Sequence, residues 1–335
     1  MREPPFWWRA ASIEARLLSP LAAVYGAVAA HRLARKGERV AAPILCIGSP
    51  IVGGAGKTPL AIAVARMLKP AGECPVFLSR GYGGRQRDPL EVDAERHRAL
   101  EVGDEPLLLA RVAATIVARD RVRGARAALA AGASVIIMDD GFQNPSLSKT
   151  VAILVVDAGR GIGNARVLPA GPLRAPLAAQ LDRSHALVVV GQGSAASDIS
   201  GGARARGIAV FAARLVPDRD AVAALKGKRV LAFAGIGDPE KFFVTLSASG
   251  LAVAEKRSFA DHHRFTSREA KALCGKADCE GLVLVTTEKD LVRMRGDDAT
   301  AQLSRRAHAL PARLVLDDEA AFKTFLVTRL AVARR

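Results

Sequence analysis

Lys57 and Thr58 close a glycine-bearing stretch, "IVGGAGKTP" (51–59), that follows one short apolar run and opens a second of helical spacing. Gly53, Gly54 and Gly56 let backbone N–H groups approach a ligand with no Cβ in the way. A strand ending at Ser49, a glycine loop and a helix N-terminus together aim donors at phosphate oxygens. In that geometry Lys57 reaches the β- and γ-phosphates of a nucleotide and the Thr58 hydroxyl ligates Mg²⁺. The candidate nucleotide-binding residues are therefore Gly53, Gly54, Ala55, Gly56, Lys57, Thr58 and Pro59. The pattern departs from the usual phosphate loop at one place, because Ile51 stands where a glycine is expected six residues before the lysine.

Mg²⁺ takes oxygen ligands, and nucleotide phosphates supply only some of them. "SVIIMDDGFQ" (134–143) runs four apolar residues into Asp139 and Asp140, the candidate metal carboxylates at the end of a neighbouring strand. Two further stretches carry chemistry without a forced role. "VGDEP" (102–106) sets Asp104 and Glu105 where an N-cap and a first-turn charge would also stand, and "FADHHRFT" (259–266) offers an aspartate and two histidines in a polar loop. Cys46, Cys74, Cys274 and Cys279 show no paired spacings and read as reduced thiols of a cytosolic protein. With four residues between Cys274 and Cys279 and the histidines adjacent, a zinc site is not the favoured reading.

These groups need a scaffold that brings strand ends together. Short β-rich runs at 43–49, 75–81, 134–140, 151–158 and 185–191 alternate with helical Ala/Leu/Arg stretches, which predicts a mostly parallel sheet flanked by helices with ligands at the carboxyl strand ends. A second set of runs follows at 208–215, 229–237, 282–290 and 312–319. The Gly/Ser-rich stretch 191–207 is the linker candidate, with a boundary near residue 200. The expected organisation is an N-terminal helical segment (1–40), an α/β core (41–200) and a smaller α/β domain (201–335) that completes the cleft.

The 335 residues carry 49 Lys and Arg against 33 Asp and Glu, a formal charge of +16 that points to polyanionic surroundings. No basic run is interleaved with aromatics, which make up only 4% of the chain, so nucleic acid is not the expected partner. Residues 17–30 are uncharged and flanked by Arg2, Arg9, Arg16, Arg32, Arg35, Lys36 and Arg39, with Trp7 and Trp8 just before. The run is too short to cross a bilayer. A secretory signal and a buried core helix are rival readings, and the favoured one is a monotopic anchor whose arginines meet anionic lipid.

In order and approximate spacing, "GGAGKTP", "SRGYGG", "VGDEP", "ARDR", "DDGFQ", "LPAGPLR", "GIGDPEKFF", "FADHHRFT" and "TTEKD" resemble the tetraacyldisaccharide 4′-kinases of lipid A biosynthesis, over residues 5–330. The resemblance implies a P-loop NTPase-like kinase, monomeric, at the cytoplasmic face of the inner membrane. It would use ATP and Mg²⁺ to phosphorylate the 4′-hydroxyl of tetraacyldisaccharide 1-phosphate, giving lipid IVA. It further implies Asp104 as catalytic aspartate with His262 as its partner, the histidine raising its basicity. Lys57 would serve catalysis, Thr58, Asp139, Asp140 and Glu105 the metal, and Arg80, Arg119 and Arg121 would line the site. Ser49, Ala55 and Asn144 depart from residues common in that family. A different class remains open to the same loop: an ATPase or GTPase switch acting on a protein partner, of metallochaperone or partition type.

Overall fold

The computed structural model describes residues 3–10, 12–294 and 298–334; Arg2 of the basic N-terminal flank lies outside them. Thirteen strands are formed among the described residues: β1 (Ile44–Gly48), β2 (Pro75–Ser79), β3 (Leu90–Glu91), β4 (Thr115–Val117), β5 (Val135–Asp139), β6 (Val151–Asp157), β7 (Ala186–Val190), β8 (Ala209–Pro217), β9 (Arg229–Ala234), β10 (Ala252–Ser258), β11 (Val283–Thr286), β12 (His308–Ala309) and β13 (Ala312–Leu316). Nine of them build one sheet in the order β13-β8-β7-β6-β1-β5-β2-β4-β3. Its centre is parallel, with Leu45 of β1 opposite Val151 of β6 and Ile47 opposite Asp139 of β5. The edge strands β3 and β13 run antiparallel to their neighbours. Helices cover both faces, so β1, β2 and β5 are buried at every residue, as their unbroken apolar runs require.

β10-β9-β11-β12 form a second, all-parallel sheet with its own apolar layers. Phe233, Phe265, Leu273 and Leu303 pack on one side of it, and Phe242, Phe243 and Leu246 on the other. The division between sheets falls elsewhere than residue 200. β8 and β13 are paired with each other in the large sheet, and the second sheet is inserted between them in the chain. The helix Glu319–Ala333 returns to the large core through Phe322, Leu326 and Leu330. Ladder hydrogen bonds and apolar burial, both long-range, outweigh the break in composition at 191–207.

The helices Ile13–Leu17 and Ser19–Ala34 lie against the large unit through Ala15, Ala22, Gly26 and Leu33. At Gly26 the backbone faces Pro176 and Val167, and a Cβ there would lie 3.6 and 3.7 Å from them. The opposite face exposes Ile13, Leu17, Leu21, Val24 and Val28, so this is not a buried core helix. No helix among the described residues is long and apolar enough to cross a membrane. The two tryptophans face the protein: Trp7 Nε1 donates to the Pro169 carbonyl at 3.0 Å, and the Arg160 guanidinium lies 4.0 Å over the Trp8 ring.

Candidate active site

β1 delivers the glycine loop at its carboxyl end, and the helix Lys57–Leu68 starts from Gly56, whose φ of +91° suits only glycine. Leu60, Ala61, Val64 and Leu68 anchor that helix in the core, which fixes Lys57 and Thr58 in its first turn. The loop is braced from a second segment: Arg174 Nε donates to the Ile51 carbonyl at 3.0 Å and Gln180 Nε2 to that of Pro50 at 3.1 Å. Lys57 Nζ turns back onto the Gly53 carbonyl at 3.1 Å, and burial lowers its pKa.

Asp139 and Asp140 end β5 beside this loop and are held differently. Thr58 Oγ1 donates to Asp139 Oδ2 at 2.9 Å, whereas Asp139 Oδ1 is buried with no hydrogen-bond partner. Burial, with the Asp140 charge adding to it, pushes Asp139 up to about 6. Asp140, in the left-handed region at φ +53°, meets Arg174 through both oxygens at 2.8 and 3.1 Å and lies 3.8 Å from Lys57 Nζ. Burial would raise its pKa, but those two cations more than offset that and hold it below the usual carboxylate range.

Asp104 opens the helix Asp104–Ala110 and is buried. Gly103 before it has φ +89°, and a Cβ there would meet the Tyr82 carbonyl at 2.7 Å, so the chain enters that helix in a conformation reserved for glycine. His262, at φ +55°, places Nδ1 3.2 Å from Asp104 Oδ2. Arg293 Nε reaches the same oxygen at 2.8 Å, and Nη2 bonds to it as well. Burial alone would raise the Asp104 carboxyl, but His262 and Arg293 hold it well below the usual range. The histidine therefore lowers the basicity of this aspartate, contrary to the expectation from the sequence, because donors to a carboxylate stabilise its ionised form. In return the Asp104 hydrogen bond raises the His262 pKa against its partial burial. Glu105 is paired with Lys289 at 2.8 Å.

The two clusters share a cleft. A carbon built on Gly237 would lie 3.8 Å from the Gly54 amide nitrogen and 3.6 Å from the Asp261 carboxylate, so the turn after β9 rests on the phosphate loop next to the histidine. One atom each of Asp104, Glu105 and His262 lie within 4.8 Å of one another. His263 is used otherwise: it hydrogen-bonds Glu269 at 3.0 Å and stacks on Phe259. Arg119 and Arg121, with Glu38, Asn144 and Ser146, line an open surface depression. Arg80, after β2, is exposed. The Asn144 side chain accepts from the Ser146 amide and hydroxyl.

Reading the sequence alone missed Arg174, Lys289 and Arg293. Each lies in or just after a stretch already singled out, "LPAGPLR" or "TTEKD", and no local spacing announces a partner across the cleft.

The sequence profile of the tetraacyldisaccharide-1-P 4′-kinases matches residues 14–331. The tetraacyldisaccharide 4′-kinase of Nitrobacter winogradskyi is 53% identical over 335 residues, covering all of this chain and 99% of the relative. That of Afipia carboxidovorans is 52% identical, with the same coverage. The crystal structure of the Aquifex aeolicus protein LpxK in complex with ATP is 26% identical and superposes with a TM-score of 0.71, covering 94% of this chain and 99% of that one.

Proposed function

The chain belongs to the tetraacyldisaccharide-1-P 4′-kinase family, and from that premise we propose how its own residues carry out the transfer. It is a kinase of lipid A biosynthesis that passes the γ-phosphoryl group of ATP to the 4′-hydroxyl of a tetraacyldisaccharide 1-phosphate, with Mg²⁺ as metal. The relatives are named as kinases, which leaves the protein-partner switch ATPase without support.

The observation that carries the assignment is the meeting in one cleft of the Thr58–Asp139 pair and the Asp104–His262 pair. A buried carboxylate oxygen without a donor, Asp139 Oδ1, suits a hard cation, and Thr58 and Asp139 would hold Mg²⁺. When bound, the metal neutralises charge on the β- and γ-phosphate oxygens. Asp140, paired with Arg174 and Lys57, supports the loop; Glu105 gives Oε1 to Lys289, and its other oxygen would be the one to join the metal. Lys57 and the backbone of residues 53–58 orient the phosphates, with Pro59 the next residue of the helix. The 4′-hydroxyl oxygen attacks the γ-phosphorus, the bond to the β,γ-bridging oxygen breaks, ADP leaves, and the hydroxyl proton passes to Asp104. His262 and Arg293 occupy Oδ2, and Oδ1 is the oxygen we assign to accept the proton. A weakly basic aspartate suffices, since phosphoryl transfer is governed by position and charge neutralisation.

Arg80, Arg119 and Arg121 follow β2 and β4 at the same end of the sheet as the phosphate loop and are assigned to the anionic acceptor. We further assign the chain to the cytoplasmic face of the membrane as a peripheral monomer. The exposed apolar stripe of residues 13–28 supports the peripheral attachment, and the two sheet-bearing units would close on the substrates.

Incubation with labelled ATP and tetraacyldisaccharide 1-phosphate should yield a lipid with a second phosphate. Lys57→Ala and Asp104→Ala should each lower turnover by about 10²-fold or more while the protein stays folded. Turnover near wild type in either variant would refute the role given to that residue.

A further inference from the structure

Arg293 is almost fully buried and is held by more groups than an ion pair needs. Its Nη1 donates to the Gly235 carbonyl at 2.6 Å and to Asp290 Oδ1 at 3.0 Å. Asp290 is fixed in turn: its Oδ1 accepts from the Gly235 amide at 3.1 Å and its Oδ2 from the Thr287 hydroxyl at 2.6 Å. The Gly235 carbonyl also accepts from the His262 amide at 3.1 Å. One turn at the end of β9 thus fixes both groups that reach Asp104 from the small sheet, and a Cβ on Gly235 would stand 3.0 Å from His263 and 3.1 Å from Asp290.

We propose that Arg293 is a positioning residue of the kinase reaction, which carries the geometry of the Gly235 turn across the cleft and holds Asp104 Oδ2 so that Oδ1 faces the acceptor hydroxyl. The proposal rests on Asp104 being the proton acceptor. Arg293 suits this task better than a second histidine or a lysine would. Its planar fork lets Nε and Nη2 hold the Asp104 oxygen while Nη1 stays on Gly235 and Asp290, so that two ends of a rigid group register segments of the large and the small unit that are remote in the chain. Nη2 also lies 3.5 Å from His262 Nδ1, which places the histidine and the arginine side by side on the same carboxylate oxygen. A group that only neutralised a buried charge would need none of this shared anchoring. A group that sets orientation acts on the bound complex and leaves the affinity for both substrates alone.

The test measures kcat and the KM for Mg-ATP and for tetraacyldisaccharide 1-phosphate with the full chain, its Arg293→Ala, Arg293→Lys and Asp104→Ala variants, and the Asp104→Ala/Arg293→Ala double variant. Arg293→Ala should lower kcat about 10²-fold with each KM within about twofold. Arg293→Lys keeps the charge but cannot hold Gly235 and Asp104 together, and should sit about tenfold below wild type. The double variant should be no slower than Asp104→Ala, because Arg293 works through Asp104 alone. Wild-type kcat in Arg293→Lys, a loss expressed in KM, or additive losses in the double variant would each overturn the proposal. If melting curves show Arg293→Ala unfolded, the lysine variant decides by the same criterion. Activity near wild type in Asp104→Ala would instead overturn the reading on which the proposal stands, whereas an inactive Asp104→Ala beside a fully active Arg293→Ala would overturn the proposal alone.

Discussion

Neighbouring residues of the same type take different roles here because their surroundings differ. Asp139 loses water and gains the Thr58 hydroxyl, while Asp140, one residue on, meets two cations. The consequence for Asp139 can be measured. Its carboxyl is pushed from 3.8 up to about 6, so the native protein without metal binds this proton more tightly than the unfolded chain does. The stability this group contributes is fully present below pH 3.8 and is lost as the pH rises through about 6. A cation requires the ionised form, so Mg-ATP should raise the melting temperature more at about pH 7.5 than at about pH 5.5. Equal shifts at the two pH values would contradict a role for Asp139 at the metal. His262 and His263 diverge in the same way, one meeting Asp104 across the cleft and the other completing the start of the helix Ser267–Glu280 through Glu269.

Among the elements, the N-terminal helix pair presents two faces of different chemistry. Small residues, Ala15, Ala22 and Gly26, allow close packing on the protein, and the outward stripe of Leu17, Leu21, Val24 and Val28 recurs at three- and four-residue steps. Arg16, Arg32 and Arg35 flank that stripe and suit an anionic surface. Burying a side chain such as leucine or valine in an acyl layer is worth roughly 2 kcal/mol. Leu21→Glu combined with Val24→Glu should therefore weaken co-sedimentation with vesicles containing anionic lipid by about 10²-fold or more, with Mg-ATP binding unchanged. Undiminished sedimentation would remove the stripe as the attachment surface.

At the scale of the whole molecule, the site exists because two sheets dock. Val292 of the small unit is buried with Val102, Leu107, Leu108 and Val117 of the large one, directly behind Asp104 and Arg293. Val292→Ala removes two buried carbons from this junction and should cost about 2 kcal/mol by denaturant unfolding. It should also lower kcat without altering the KM for ATP, because the phosphate loop belongs to the large sheet. Unfolding free energy within about 0.5 kcal/mol of wild type would show that the junction is not tightly packed.

Local chemistry was legible in the sequence: the glycine loop with Lys57 and Thr58, the acidic pair after an apolar strand, and the unbroken apolar runs of β1, β5, β6 and β7. Each depends on neighbours within a few residues, and each formed as backbone geometry and burial require. β4, of only three residues within the uncharged run 112–118, and β10, an edge strand with exposed charges, escaped notice because the first is too short a part of its run to stand out and the second carries no unbroken apolar pattern. Tertiary structure alone decided that β8 and β13 join the large sheet and that Arg174, Lys289 and Arg293 meet Asp140, Glu105 and Asp104. Those partnerships span up to 189 residues of chain, and a charge specifies its partner only after packing has brought the two together.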